Sequence, residues 1–154
     1  MDRRARWGVV LQALAYSLLW QGDTWSRPPV TWRLVLSIMF LALAGAFSWT
    51  GARALGSHWR IDAGLNTDHE LVRSGPYRIV RHPIYASMFC LLLGTGFMIT
   101  PPLFFVIATV VFVIGTEIRI RVEDALLESH FGDQFREYRG RVSAYIPFLR
   151  YSRR

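Results

Sequence analysis

The chain has 154 residues, 52% hydrophobic and 14% aromatic, with a mean hydropathy of +0.24 and yet a formal net charge of +7. That length bounds it to one domain, and so much apolar surface in so small a chain points to membrane spans rather than a soluble core. All 18 basic residues are Arg and Cys90 stands alone, which excludes a lysine Schiff base, a P-loop lysine, an intrachain disulfide and a cysteine-rich zinc site.

In chain order, Arg3, Arg4 and Arg6 precede an apolar run from Trp7 to Trp20. No small-residue cleavage pattern follows, so the run reads as a first membrane helix rather than a signal peptide. Pro28-Pro29 blocks helix continuation in the connector that follows. Trp32–Trp49 forms a second span with Trp at both ends, as expected of interfacial belts. From Thr50 to Pro83 the chain turns polar. Tyr85–Thr100 is a third apolar span, Pro101-Pro102 makes a tight turn, and Pro101–Ile118 is a fourth. The last two spans are expected to form a helical hairpin. Helix continues through residues 117–130, where Glu117/Arg121 and Arg119/Glu123 stand four apart and can pair. Gly132 reads as a helix stop, and an amphipathic segment, Asp133–Arg141, follows.

Four spans with both termini on one side put every Arg except Arg27 and Arg33 on that side, which the positive-inside rule makes cytoplasmic. Three or five spans would scatter the charge. The expected fold is therefore all-α: a polytopic membrane bundle of about four transmembrane helices with a cytoplasmic C-terminal helical cap. Residues 1–154 form a single domain, with anchoring helices in 1–56 and the motif, hairpin and cap in 57–150.

The stretch from His69 to Tyr85 packs two His, three Arg and two Tyr into 17 residues, more chemistry than a connecting loop requires. Pro83 suits the first turn of a helix, which would leave free N–H groups at residues 84–86 and fix His82 beside them. Because a hairpin returns the chain to the same depth, this block must lie near the polar helix 117–141. One wall would offer His69, Tyr77, Arg81, His82 and Tyr85, the other Glu117, Glu123, Asp124, His130, Tyr138 and Arg141. The four His lack metalloprotease spacing, so no metal site is expected. No Gly-x-Ser-x-Gly elbow is present, and Gly94-Thr95-Gly96 lies inside a span with no strand before it.

The pattern His69-x-Leu71-Val72-x-Ser74-Gly75-x-Tyr77-x-x-x-Arg81-His82-Pro83-x-Tyr85 resembles the signature of the isoprenylcysteine carboxyl methyltransferase family, which is related to the phospholipid methyltransferases. A second block, Arg121-x-Glu123-Asp124-x-x-Leu127-x-x-x-Phe131-Gly132, then Tyr138-x-x-Arg141-Val142 and Ile146-Pro147-Phe148, is similar to that family's C-terminal pattern. Two departures stand out: Ala86 replaces the usual Gly, and Asp124 the second Glu of a Glu-Glu pair. The resemblance implies an integral membrane methyltransferase with S-adenosylmethionine as donor, acting on a lipophilic or lipidated acceptor that enters from the bilayer, without nucleic acid. Carboxyl O-methylation is the favoured reaction, with a phospholipid amine as the alternative acceptor. By the resemblance, His69, Leu71, Gly75, Tyr77, Arg81, His82, Pro83, Tyr85, Glu123, Asp124 and His130 would line the cofactor site, and Arg81, Glu123 and Arg141 would serve catalysis. Arg81 or Arg141 would grip an acceptor carboxylate and Glu123 the donor's ammonium or ribose. Membrane reductases using NADPH share His-Pro-x-Tyr but tend to have Asn and Gly where this chain has Ile84 and Ala86. A small transporter would place an ionisable residue deep in a span, and none lies between Leu34 and Trp49 or between Ile84 and Thr116.

Overall fold

The structure is a computed structural model that describes residues 3–22, 30–55, 71–147 and 149. Among these residues it is helical: α1 (Arg3–Leu18), α2 (Thr31–Leu55), α3 (Pro83–Ile99), α4 (Pro102–Phe131) and α5 (Asp133–Arg141), with one 3₁₀ turn at Gly75–Arg78. The boundaries follow from the residues that cannot continue a helix. Pro83 opens α3, where its missing N–H costs nothing. Pro101 and Pro102 restart the chain one residue beyond Thr100. Gly132 sits at φ 53°, ψ −125°, a conformation reserved for glycine, and turns the chain straight from α4 into α5.

Two helices, α2 and α4, are long and apolar enough to cross a membrane; α3 is apolar but has 17 residues, and α1, with 16, carries three Arg in its first four positions. The exposed flanks are those of a lipid-facing surface: Trp32, Val35, Ile38 and Trp49 on α2, and Leu103, Val106, Val110 and Ile114 on α4. These features mark a membrane protein. α4 is 30 residues long, about 45 Å at 1.5 Å per residue, so it outruns a hydrocarbon core of about 30 Å and its last turns, from Arg121 onward, lie beyond the span.

The expected hairpin of the last two spans is not the main packing unit. α2 lies antiparallel along α3, and α1 antiparallel along α4, while direct α3–α4 contacts are few. Small residues dictate this pairing. A Cβ built on Gly94 would crowd Leu41, and one built on Gly51 would touch Pro83 and Ile84, so α2 lies close against α3 along its length. Gly8 and Gly115 face each other in the same way: a Cβ on Gly115 would lie 2.9 Å from the Gly8 carbonyl oxygen. Gly45, by contrast, borders open space. Ala15, Leu19, Leu92, Ala108 and Phe112 join the two pairs in a common core. At the far end Arg33 donates to the carbonyls of Gly96 (3.2 Å) and Thr100 (2.6 Å), a cation placed where the helix dipole favours one.

Candidate active site

At the other end the motif block meets the extension of α4. Gly75, at φ 59°, allows the turn that buries Pro76 and Tyr77. The chain then passes through Val80–His82 beside the segment that follows α5. Val80 bridges Ser143 in parallel, and the N–H groups of Arg81 and His82 donate to the carbonyls of Ser143 and Ala144, both at 2.8 Å. Tyr138 fastens the same junction by donating to the Tyr77 carbonyl at 2.6 Å, and Tyr145 is buried against Val80, Tyr85 and Ile120.

Inside this frame lies a dense charged cluster. His82, 8% exposed, places Nε2 2.9 Å from Asp124 Oδ1 and Nδ1 3.5 Å from Glu123 Oε2. Both ring nitrogens thus face carboxylates, an arrangement that only the imidazolium satisfies. Burial alone would lower the His82 pKa; the hydrogen bonds to Asp124 and Glu123, and then their charges, overcome it and raise the value. The carboxylates respond in kind. Burial would raise both, but hydrogen bonding to His82 and its charge prevail, helped by Tyr85 and Arg119 at Glu123 and by Arg81 at Asp124, so both fall below their ordinary values. The Tyr85 hydroxyl donates to Glu123.

Arg81 is tied on several sides: Nη2 to Asp124 Oδ2 at 2.8 Å, and Nη1 to the carbonyls of Val142 (2.5 Å) and Arg139 (3.4 Å). It clamps the C-terminal segment to the motif. Arg141 is exposed, pairs with Glu137 at 2.6 Å, and stands with Arg73 and Arg78 on a separate cleft beside Tyr138. His130 is exposed, edge-on to Phe131. Leu71 is half-buried, and His69 lies outside the described residues. The structure therefore gathers Arg81, His82, Pro83, Tyr85, Glu123 and Asp124, with Tyr77 and Gly75 just behind, and leaves His130 and Arg141 at the rim.

Sequence reasoning missed two members. Arg119 lies with Cζ 5.0 Å from the Tyr85 ring centre and Nη2 3.7 Å from Glu123 Oε1, and Gln12 of α1 donates to Thr116 Oγ1 (2.9 Å) and accepts from Arg119 Nη1 (3.0 Å). A lone Gln in an apolar run was the available signal for the second.

Fold and site together define a helical membrane protein whose polar centre sits at one end of the bundle. The chain matches the model of the phospholipid methyltransferase family over residues 32–134, and it belongs to that family. It is 37% identical over 83 residues to the protein-S-isoprenylcysteine O-methyltransferase of Saccharomyces cerevisiae, a match covering 54% of this chain and 35% of the yeast protein. It is also 31% identical over 149 residues to the cobalt-zinc-cadmium resistance protein CzcN of Cupriavidus metallidurans, covering 93% and 62% of the two chains. The solved structure of a eukaryotic intramembrane Ras methyltransferase, an isoprenylcysteine carboxyl methyltransferase, superposes with a TM-score of 0.75 at 23% identity, covering 97% of this chain and 55% of that one. The chain thus spans between about a third and two thirds of the length of these relatives. The resemblance carried by the two motif blocks is borne out.

Proposed function

We propose that the protein is an integral membrane methyltransferase that moves the methyl group of S-adenosylmethionine to the carboxylate of a lipophilic acceptor, on the cytoplasmic side of a four-span bundle with both termini on that side. The observation that carries this reading is the knot of His82, Glu123, Asp124 and Tyr85, because it joins the two motif blocks at one end of the bundle. The isoprenylcysteine O-methyltransferase names of the relatives favour a carboxyl acceptor over a phospholipid amine.

The residues present suit such a donor. Glu123 keeps 24% of its side chain exposed, an acceptor edge for an ammonium group or ribose hydroxyls. The start of α3 leaves the N–H groups of Ile84 and Tyr85 without partners in their own helix, while that of Ala86, expected free as well, donates to the His82 carbonyl at 3.1 Å. When bound, S-adenosylmethionine would supply an electrophilic methyl on a cationic sulfur. The protein's part is then to bind, align and exclude water, which is worth about 7–11 kcal/mol in well-oriented reactions. Asp124 holds the imidazolium of His82, His82 holds Glu123, and Arg81 ties the C-terminal segment to the motif. An acceptor carboxylate is already ionised at neutral pH and needs no general base.

The reading is tested by supplying purified protein in nanodiscs with methyl-tritiated S-adenosylmethionine and either N-acetyl-S-farnesylcysteine or phosphatidylethanolamine. Label released by mild base from the farnesylcysteine is expected, as from a methyl ester. Base-stable label in the phospholipid, or no transfer to either, would contradict it.

A further inference from the structure

Helix α1 lies outside the residues matched by the family model, and a first reading makes it an anchor. Its one buried polar side chain among the described residues, Gln12, is 3% exposed and faces α4. Thr116, fully buried, takes the amide N–H, which turns the carbonyl oxygen toward Arg119. The reverse amide orientation would set donor against donor. Arg119 is thereby held from behind through Nη1, while its face rests on the Tyr85 ring. Its Nη2 approaches Glu123 only to 3.7 Å, beyond hydrogen-bond distance. Its Nε is buried and has no hydrogen-bond partner among the described residues. The Nε–Nη2 edge of a guanidinium is one of the two that carboxylates grip with paired bonds.

Charge points the same way. Arg81, Arg119 and the His82 imidazolium face Glu123 and Asp124, which leaves the cluster one positive charge in excess. Arg81 has both Nη atoms engaged, on Asp124 and two carbonyls, although its Nε is likewise buried without a hydrogen-bond partner among the described residues, and Arg141 stands on another cleft. Arg119 is the arginine of the cluster whose Nε and Nη2 both lack a hydrogen bond among the described residues.

We propose that Gln12 is a positioning residue that aims Arg119, and that the Nε–Nη2 edge of Arg119 receives the carboxylate of the methyl acceptor. The proposal rests on the carboxyl-acceptor reading given above. It also explains why α1 is drawn so tightly to α4: the facing glycines at 8 and 115 bring the Gln12 amide within reach.

The test separates acceptor binding from donor binding and from turnover. N-acetyl-S-farnesylcysteine and its methyl ester are titrated by calorimetry into purified protein in nanodiscs, with S-adenosylhomocysteine titrated separately. A paired charge-assisted contact predicts that the wild-type protein binds the free acid about tenfold or more tighter than the ester. Gln12→Leu, close in shape, is expected to erase most of that preference and to raise the acceptor KM about tenfold, with S-adenosylhomocysteine affinity unchanged. Arg119→Lys keeps the charge but not the fork and is expected to lose the preference too. If Gln12→Leu does not fold, Thr116→Val frees the amide to rotate and carries the same prediction in weaker form. Equal binding of acid and ester by the wild type, or a preference that survives Gln12→Leu or Thr116→Val, overturns the proposal. Loss of S-adenosylhomocysteine binding by the wild type would instead strike the donor reading, and the acid–ester comparison would still report on Arg119.

Discussion

His82 sets the chemistry of the site at the residue scale. A histidine held between Glu123 and Asp124 is charged over a wider pH range than a free one, and its partners stay ionised to lower pH. The two shifts limit stability on opposite sides. For His82, whose ordinary value is 6.5 and whose folded value is raised, the stabilisation is complete below about pH 6.5 and is lost as pH climbs through the folded value. For Glu123 and Asp124, ordinarily 4.5 and 3.8 and lowered here, it is complete above about pH 4.5 and is lost as pH falls through the folded values. Melting temperature measured in detergent across pH 4 to 9 is therefore expected to plateau in the mildly acidic range and decline on the alkaline side. His82→Gln should flatten that alkaline decline. An identical decline in the variant would show that another group titrates there.

At the scale of elements, most of the helix ends were legible because they are written in residues with one structural meaning: Pro83, Pro101 and Pro102, and Gly132. The continuation of the fourth span through residues 117–130 was likewise readable from its ion-pair spacing, and Glu117–Arg121 and Arg119–Glu123 stand within 3.9 and 3.7 Å. Helix partners were not legible. Adjacent spans suggested a hairpin, whereas the pairing depends on which glycines face which backbone, and single positions such as Gly8, Gly45, Gly94 and Gly115 look alike in a string. The difference is measurable. Gly115→Val drives side-chain carbons into the Gly8 carbonyl and Leu11 and is expected to cost about 1–3 kcal/mol, read as a lowered melting temperature. Gly45→Ala, facing open space within a helix, is expected to be neutral or stabilising by up to about 1 kcal/mol. Equal tolerance at both positions would refute the α1–α4 crossing.

Over the whole molecule, the helices alternate in direction, so that His82 at the start of α3 and Glu123 beyond the membrane portion of α4 arrive at one end, some 40 residues apart in sequence. That meeting followed from the reading of two adjacent spans, even though the spans pack mainly on other helices. What the string withheld was the contribution of α1: a single Gln in an apolar run shows no partner until Thr116 and Arg119 are brought beside it. Nor did it show that Arg81 is bound up in holding the C-terminal segment, since that depends on backbone carbonyls of residues 139 and 142 that any side chain would carry.

The central claim is that His82 and Glu123, joined at this end of the bundle, form the site of the methyl donor. Calorimetric titration of the purified protein with S-adenosylhomocysteine, and separately with NADPH, tests it most directly. Saturable binding of the first and none of the second is expected, with at least a tenfold loss of affinity in folded His82→Ala and Glu123→Ala. Binding of S-adenosylhomocysteine unchanged in both variants, or saturable binding of NADPH in its place, would contradict it.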